Sequence, residues 1–594
     1  MNTKGGEWKV ESWMTLILMV VAFHFPLSSL HAQCGVAVKP RDMKTYNESL
    51  EKYQKRHYRE AAQLMRRVAQ RNPKAADPQF WLGMMAVDNG FNTVGIRRYF
   101  PRCLELCPAY PDPLVHYYMG MIYYTDERYE EAAAEMEAYF EMANGSENPA
   151  HTKVYEEASA YLHWSRFLAD AELNKAPFEP WVLKGVSTKH NESLPYITLD
   201  GNACYYLRQV PEKQEYSFYI KTEEKKEWKL FCSNLKDSVF SAGAPLPAPF
   251  NQGAPEGSVT LTADGNTLFF SRITPNGRYS NSDIYYTRRV DGKWQPVKGA
   301  GSNVNTPTTW ESQPSVSADG RWLYFASNRQ GGQGGTDIWR CHRLKNGDWS
   351  RPENLGPKVN TPGNEKFPFI HADGHTLYFV SDGWQGFGGY DIYFTDIRGT
   401  DAFPTNLGLP INTEGNELSF GVTLDGTRAY IPGRVAESRS TDILMFDLYP
   451  AARPEAMRLC RVRVVTPTRS TDTLLVLSER EDNTVTFADT ALLPVVVCGK
   501  GRAFDGMTVA LADSVAPLHV SFLAGSRLSP AGESVLRAWT AWLLEHPRVH
   551  LAVECPKATE AKAVYDFLVK QGLRPERLSH RGGTDVSARQ LRLQ

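Results

Sequence analysis

One short pattern recurs five times at intervals of about 54 residues, and it restricts the fold of this chain more than any other feature. An Asp-Gly dipeptide stands at each recurrence, and its aspartates are Asp200, Asp264, Asp319, Asp373 and Asp425. A glutamate precedes each aspartate by eight residues, and these are Glu192, Glu256, Glu311, Glu365 and Glu417. Asp-Gly between alternating apolar runs indicates a two-residue hairpin turn, in which both turn positions need positive φ.

Further strands follow each hairpin. Four of the five units carry a later Asp-Ile dipeptide that opens another apolar run, at Asp283, Asp337, Asp391 and Asp442. Four short strands per unit, repeated without helices between them, are typical of β-propeller blades. The sequence therefore predicts an all-β propeller over 178–449 with five blades, the first beginning near residue 180. A sixth blade built from 225–250 is the alternative.

The recurrence also bears on chemistry. A catalytic carboxylate pair would occur once, whereas these acids stand in every unit, which favours hydrogen bonds that fix turns and strand ends. A cation held by the Asp-rich loops at the central channel is the alternative. The glycine-rich stretches 331–335 and 383–389 are interpreted as turns between strands, since the Gly-Lys-Ser/Thr of a phosphate-binding loop does not follow them.

A different periodicity covers residues 42–175. Over 112–143, small Gly120 and Ala132 alternate with large Tyr123, Met136 and Tyr139. Small residues let two antiparallel helices approach closely while large ones fill the groove between them. Two weaker copies precede this one, and a further helical segment, 154–168, would cap the stack.

The C-terminal quarter predicts two small modules. Residues 458–515 alternate as a small β-module. Residues 516–594 follow a β-α-β-α order: a strand at 520–522, a helix that begins at Ser529-Pro530, a strand at 550–553 and a helix over 557–570.

The N-terminus predicts export. Residues 1–32 have two lysines followed by an apolar run too short to span a bilayer, as in a signal peptide cleaved after Ala32. Cys34 is then a candidate for lipidation, although Gln33 departs from the small residue expected before a lipidated cysteine. No later stretch is long enough to cross a membrane. We expect a periplasmic protein.

Composition narrows the partners. A net charge of −1 gives no reason to expect nucleic acid or an anionic membrane surface as an electrostatic partner. The nine cysteines form no CxxC pair and no histidine cluster has zinc spacing, so no metal or cofactor is predicted. The pairs Cys204–Cys232 and Cys460–Cys498 are candidate disulfides, and buried free thiols are the alternative.

Several known families share these patterns. Residues 42–145 resemble tetratricopeptide repeats, whose concave face holds a peptide or partner helix; a helical spacer is the alternative. The propeller resembles the WD40-like PD40 repeats of TolB and of envelope proteins in the OmpA family. By position, 458–515 is similar to a degenerate regulatory-like sandwich.

Residues 516–594 resemble the OmpA C-terminal domain, which grips the diaminopimelate of peptidoglycan with an aspartate and an arginine. Here Lys562 stands at the arginine position and gives a point charge without the planar fork. The aspartate has no counterpart, and Glu554 is the one residue that could supply a negative charge nearby. A docking module is therefore favoured over a functional peptidoglycan site.

The order of these domains resembles PorE-like periplasmic proteins of the type IX secretion system of Bacteroidetes. That resemblance implies a non-enzymatic scaffold that joins an outer-membrane secretion or motility complex to the cell wall. Its partners would be outer-membrane and periplasmic secretion-complex proteins, bound through the helical repeats and the propeller. The alternatives are a free periplasmic peptide- or glycan-binding protein and, more remotely, a propeller hydrolase. A hydrolase would need a Gly-x-Ser-x-Gly elbow and a large α/β domain, and neither follows residue 450.

Overall fold

The computed structural model describes residues 36–90, 92–211, 226–276, 279–399, 403–435, 438–487, 494–511, 515–584, 586 and 588–593. The predicted signal peptide and Cys34 lie outside the described residues. The chain divides into two compact units, a helical one that ends at Lys175 and a second one from Ala176 onward. None of the helices within the described ranges is long and apolar enough to cross a membrane.

The helical unit consists of successive antiparallel hairpins. In chain order the helices are α1 (Met43–Gln54), α2 (Tyr58–Arg71), α3 (Asp77–Asp88), α4 (Thr93–Leu106), α5 (Leu114–Thr125), α6 (Tyr129–Ala143), α7 (Pro149–Lys153) and α8 (Tyr155–Leu173). Each of α1 to α5 packs against the next helix in the chain, and α8 packs against α6. The predicted stack of three helical hairpins with a further helix after it is confirmed in this form.

Small residues set the spacing inside the hairpins. A Cβ added at Gly120 would lie 2.7 Å from Met136 Cε, and one at Gly83 would lie 2.7 Å from the Phe100 ring. Ala132, on the facing helix of the third hairpin, is fully buried. The small residues therefore allow the two helices of a hairpin to approach closely, as the small-next-to-large pattern predicted.

The second unit begins with five antiparallel sheets. Strand β1 (Trp181–Val182) belongs to the last of them. The first sheet contains β2 (Glu192–Ile197), β3 (Ala203–Pro211), β4 (Lys226–Lys236), β5 (Val239–Phe240) and β6 (Ala244–Pro245); the second contains β7 (Glu256–Leu261), β8 (Thr267–Asn276), β9 (Tyr279–Val290), β10 (Lys293–Trp294) and β11 (Lys298–Gly299). The third contains β12 (Glu311–Val316), β13 (Trp322–Ser327), β14 (Asp337–His342) and β15 (Glu353–Asn354); the fourth contains β16 (Glu365–Ile370), β17 (Thr376–Ser381), β18 (Asp391–Asp396) and β19 (Thr405–Asn406); the fifth contains β20 (Gly421–Val422), β21 (Arg428–Gly433) and β22 (Asp442–Asp447).

These five sheets are arranged in a propeller-like manner. The first strands β2, β7, β12 and β16 contact one another in order, and β20 and β21 of the fifth sheet contact β2. Strand β1 pairs with β22, so the chain that precedes the first blade supplies the fourth strand of the last blade. The first sheet thus starts at Glu192, later than the expected start near residue 180. The strands in 226–245 join the first sheet and build no sixth one.

The hairpin turns differ from the prediction in one respect. Gly201, Gly265, Gly320, Gly374 and Gly426 all have positive φ, between 66° and 80°, but none of the preceding aspartates does. In the first turn, for example, the amide of Gly201 donates to the Thr198 carbonyl at 2.8 Å. Thr198 in turn donates its amide to the Ala203 carbonyl at 2.9 Å, so four residues form the loop, two more than in a two-residue turn, and only the glycine takes the left-handed conformation.

The C-terminal part forms further small sheets around one core. Its strands are β23 (Met457–Val465), β24 (Ser470–Ser478), β25 (Asn483–Phe487), β26 (Val495–Gly499), β27 (Thr508–Ala510), β28 (Val515–Pro517), β29 (Phe522–Leu523), β30 (Arg527–Leu528), β31 (Leu551–Cys555), β32 (Leu578–Gly582) and β33 (Gln590–Leu593), and its helices are α9 (Pro530–Glu545) and α10 (Ala558–Lys570). The main sheet has the order β28-β33-β31-β32, in which β31 and β32 are parallel and flank α10 in sequence.

Two expectations for this region need correction or extension. The strand expected at 520–522 lies outside the main sheet, because Phe522 pairs with Leu528 in a short separate hairpin. The β-module and the terminal α/β part also share one hydrophobic cluster, in which Val462 and Val496 of the first accompany Trp539 and Val553 of the second. The helix start at Ser529-Pro530 is confirmed, since the Ser529 side chain accepts the Gly532 amide.

Candidate functional site

The five periodic glutamates stand at or near the start of the first strand of each blade, with their side chains directed into the blade. Glu192, Glu311 and Glu365 are fully buried. In the first, third and fourth blades an upstream threonine donates its backbone amide to the carboxylate, as Thr361 does to Glu365 Oε2 at 2.8 Å. The glutamate thereby fastens the loop between blades to the first strand of the next one.

Arginines neutralise three of these carboxylates. Arg208 Nε lies 2.7 Å from Glu192, Arg272 lies 2.5 Å from Glu256, and Arg329 lies 3.2 Å from Glu311. Each guanidinium also lies 4.7 to 5.1 Å from the centroid of a phenylalanine ring of its own sheet. A buried carboxylate is tolerated when it is both paired and hydrogen-bonded, and these three are.

In the fourth blade the glutamate is not paired with an arginine among the described residues. Glu365 accepts hydroxyl hydrogen bonds from Thr361 at 2.6 Å and Ser381 at 2.7 Å, and no cation is paired with it among the described residues. Arg329 Nη2 donates to the Val304 carbonyl in the third blade, and Trp384 Nε1 donates to the Val359 carbonyl at 2.9 Å in the fourth. A neutral indole therefore takes the position of the guanidinium.

In the fifth blade, too, the glutamate has no paired cation among the residues that the structure describes. Thr413 Oγ1 donates to Glu417 Oε1 at 2.7 Å, whereas Glu417 Oε2 is enclosed without a hydrogen-bond partner in the described structure. Burial raises the pKa of Glu365 to about 7, with a further contribution from Asp337, and burial likewise raises that of Glu417 to about 7, with a contribution from Asp391. The two unpaired glutamates therefore differ electrostatically from the other three.

Four of the turn aspartates have one structural role. Asp200, Asp264, Asp319 and Asp425 each accept a hydroxyl from the residue two positions earlier, at 2.5 to 2.6 Å, and an amide from the residue two positions later. This is the turn-capping interaction that the sequence predicted.

Asp373 has different surroundings. His371 replaces the hydroxyl residue: its Nδ1 accepts the Asp373 amide at 3.3 Å and its Nε2 contacts the Thr423 carbonyl at 3.2 Å. The carboxylate also accepts the Glu455 amide, from the segment that leaves the propeller, at 3.2 Å. Although burial opposes it, contacts with His371 and Thr376 hold the pKa of Asp373 well below its usual range.

A second histidine completes this cluster. His375 lies with Nδ1 3.3 Å from Asp396, and with Nε2 3.7 Å from both Asp373 and Glu455. Tyr378 donates to the Ala452 carbonyl at 2.6 Å beside it. Asp373 thus ties the fourth blade to the segment that leads into the C-terminal module.

A narrow cavity lies where the first strands of all five blades meet. Its walls are formed by Leu194, Pro195, Tyr196, Ser258, Val259, Thr260, Gln313, Pro314, Ser315, Phe367, Pro368, Phe369, Ser419 and Phe420. It leaves about 40 Å³, enough for about two or three water molecules. None of the periodic acids lines it, so their carboxylates are not positioned to hold a cation there.

The two residues proposed for a peptidoglycan-type site have separate partners. Lys562 Nζ lies 3.0 Å from Asp566 on the exposed surface of α10. Glu554, on β31, accepts Gln590 Nε2 at 2.5 Å and Arg592 Nε at 3.3 Å. The hydrogen bond from Gln590 lowers the pKa of Glu554. The structure gives no contact that brings Glu554 and Lys562 together.

Of the two alternatives for the candidate disulfide pairs, the structure shows free thiols. Cys204 and Cys232 are free thiols on neighbouring strands, where Cys204 pairs in register with Ser233 and Tyr205 with Cys232. A one-residue offset directs the two side chains to opposite faces of the sheet. Cys460 and Cys498 are also free and belong to different sheets. Within the described ranges, no group of three or more potential ligands is arranged to hold a metal ion.

Sequence reasoning missed the arginines and the replacement at Trp384. In the first two blades the arginine pairs directly across from the glutamate, as Arg208 does with Glu192, but in the third the cross-strand residue is Ser327 and the arginine comes two residues later. A search for a basic residue at or two positions after this register would have found all three. The same search fails at Ser381 and Gly383, which would have marked the fourth blade as different.

No family model and no curated protein sequence matches the chain. Among solved structures it is similar to a puromycin-hydrolyzing peptidase of Mycobacterium tuberculosis (15% identity, TM-score 0.27, covering 51% of this chain and 45% of that one) and to the tricorn protease (11%, 0.28, 48% and 27%). It is also similar to an endo-arabinase from Bacteroides thetaiotaomicron (14%, 0.30, 45% and 98%).

The chain spans less than half of the length of either peptidase. TM-scores of this size are too low to support an inference about function, so the interpretation depends on the geometry of the blades themselves.

Proposed function

We propose that this protein is a non-enzymatic periplasmic scaffold that links an outer-membrane secretion or motility complex to the cell wall, as PorE-like proteins of type IX secretion systems do. In this proposal the helical unit is a tetratricopeptide stack and the five sheets form a PD40-like propeller. The terminal α/β part is an OmpA-like module that docks the protein within the envelope.

The observation that carries the proposal is the use of the recurring acids. Every one of the five blade glutamates bonds to residues of its own blade or of the loop before it, and none lines the central cavity. A glycosidase would need two carboxylates that face each other across a substrate space. Acids held in this way stabilise a rigid support, which suits a protein whose function is to hold partners.

Cross-linking in intact cells of the native host tests the proposal. The full-length protein with an affinity tag, isolated from the solubilised envelope, is expected to carry outer-membrane proteins and secretion-complex components. A variant that lacks residues 42–173 should keep the propeller, because the two compact units have separate cores, and should lose those partners. Cross-links only to soluble peptides or glycans would instead support a free binding protein, and an unchanged set of partners in the deletion variant would exclude the helical unit as the binding surface.

A further inference from the structure

Charge is distributed very unevenly along the helical unit. Residues 36–106, which include α1 to α4, hold 14 Lys and Arg against 7 Asp and Glu. Residues 107–175, which include α5 to α8, hold 4 Lys and Arg against 13 Asp and Glu. The near-zero net charge of the chain conceals this division. Two oppositely charged halves of one rigid stack cannot neutralise each other at a distance in salt, so each presents a field to other molecules.

The opposite charges stand at equivalent positions of the first and third hairpins. Met65 and Met136 are fully buried at the same place in α2 and α6. With these helices aligned, Arg59 corresponds to Glu130 and Arg66 to Glu137. The repeats therefore present the same exposed positions with the sign of the charge reversed.

These side chains are accessible. Arg59, Arg66 and Glu130 are exposed and have no ion-pair partner within the part of the chain that the structure describes. Glu137 is 47% exposed and lies 2.6 Å from Arg166. Nearby acids of the first half are already engaged, as Glu60 is with Lys52 at 2.5 Å. Arg71 of α2 pairs with Asp42 at 3.3 Å, whereas Arg59 and Arg66 have no ion-pair partner among the described residues.

The middle hairpin is uncharged at these positions. Ile96 and Phe100 of α4 are buried like Ala61 and Met65 of α2, which places Val94 and Pro101 at the positions of the two arginines. Val94 is 75% exposed. In a stack of hairpins the second helices lie on one side, so α2, α4 and α6 form a ridge that is basic, then apolar, then acidic.

A ridge with this order is complementary to itself when one copy is turned end to end. We propose that a second copy of this chain binds here in an antiparallel, two-fold arrangement. Arg59 and Arg66 of each copy then face Glu130 and Glu137 of the other, with Val94 near the axis. An isologous contact of this kind closes at two copies. Because exposed charge pairs supply most of it, the association is weak and depends on salt.

Sedimentation of the full chain tests the proposal. We expect a monomer–dimer equilibrium in about 50 mM salt whose dissociation constant rises at least about tenfold in about 500 mM salt. The charge-reversed double variants Arg59→Glu with Arg66→Glu, and Glu130→Arg with Glu137→Arg, should each be monomeric, because like charges then face each other. An equimolar mixture of the two variants should dimerise again.

The variants are designed to fold, because each places at an exposed position a charge that the stack already carries at the equivalent position of the other hairpin. Unchanged thermal unfolding verifies this. Arg574→Glu with Glu576→Arg, exposed residues of the C-terminal part, is the matched control and should dimerise as the unaltered chain does. The proposal would be overturned if the chain stayed monomeric at every salt concentration, if it formed assemblies larger than a dimer, or if the mixture of the two variants stayed monomeric. Binding of an acidic partner protein to the same ridge would not rescue the proposal in any of these cases.

Discussion

Replacing Glu365 by glutamine should stabilise the propeller at alkaline pH, the opposite of what removal of a buried carboxylate usually does. The Glu365 side chain is fully buried, without a paired cation among the described residues, and burial raises its pKa from 4.5 to about 7. Between these values the folded state holds a proton that the unfolded state releases, so stability falls as the pH rises through this window. A shift of this size corresponds to about 3 kcal/mol, fully lost above the folded pKa.

Glutamine is expected to remove this dependence. Its carbonyl can still accept the Thr361 amide, and its NH₂ can donate to the Thr361 and Ser381 hydroxyls, which rotate. The difference in unfolding free energy between Glu365→Gln and the unaltered chain should therefore change by about 3 kcal/mol in favour of the variant between pH 4.5 and pH 8.

Glu311→Gln is the matched control in the preceding blade. It leaves Arg329 buried without its carboxylate, which typically destabilises by about 3 to 5 kcal/mol, and the loss should be present at pH 8. Urea unfolding at several pH values, with hydrogen exchange of the β16 and β12 peptides as the local measure, distinguishes the two. Equal destabilisation by both variants, or a pH-independent effect of Glu365→Gln, would refute this account of the unpaired blade.

Three further predictions concern other positions. Asp373→Asn should lower the unfolding free energy by about 2 kcal/mol, whereas Asp200→Asn, in its exposed turn, should lower it by about 1 kcal/mol or less. The reason is that only the Asp373 carboxylate is buried and bonded to the Glu455 amide, and thermal unfolding compares the two variants. Unchanged stability of Asp373→Asn together with the loss of an activity or a bound ion would contradict this prediction. Gly386→Ala places a Cβ 2.1 Å from Asp391 Oδ2 and should destabilise by about 1 to 3 kcal/mol, whereas Gly415→Ala, with its nearest neighbour at 3.2 Å, should change stability by less than about 0.5 kcal/mol in the same melts. The full chain should sediment weakly or not at all with purified cell-wall sacculi, because Lys562 and Glu554 have separate partners; strong sedimentation that Lys562→Ala and Glu554→Ala abolish would show a rebuilt site.

The sequence predicted those features that depend on residues close together in the chain. The five Asp-Gly turns, the strands around them and the helix start at Ser529 all follow from local turn, cap and alternation patterns. The hydroxyl-to-aspartate caps at four of the turns follow from the same local chemistry.

The features that sequence reasoning missed depend on pairing between distant residues. The partner of β1 is β22, and no local pattern selects it. Whether a glutamate is neutralised depends on which residue reaches it from the neighbouring strand. In the third blade Arg329 donates to the Val304 carbonyl, and in the fourth the uncharged indole of Trp384 donates to the corresponding Val359 carbonyl. The shared core of Val462 and Trp539 is likewise set by packing of modules whose patterns, taken separately, predict two domains.

The pairing of β1 with β22 has a consequence for biogenesis. Ser187 donates to the Ile443 carbonyl 256 positions further along the chain, next to the pairing of Trp181 with Met445. Contacts of such sequence separation form slowly, because a long loop must close before they are made. During synthesis β1 therefore stays without its partner strand until the last blade has been made, and an open strand of this kind invites pairing with other chains. A chaperone that shields nascent strands would consequently matter more for the yield of this protein than for its final stability.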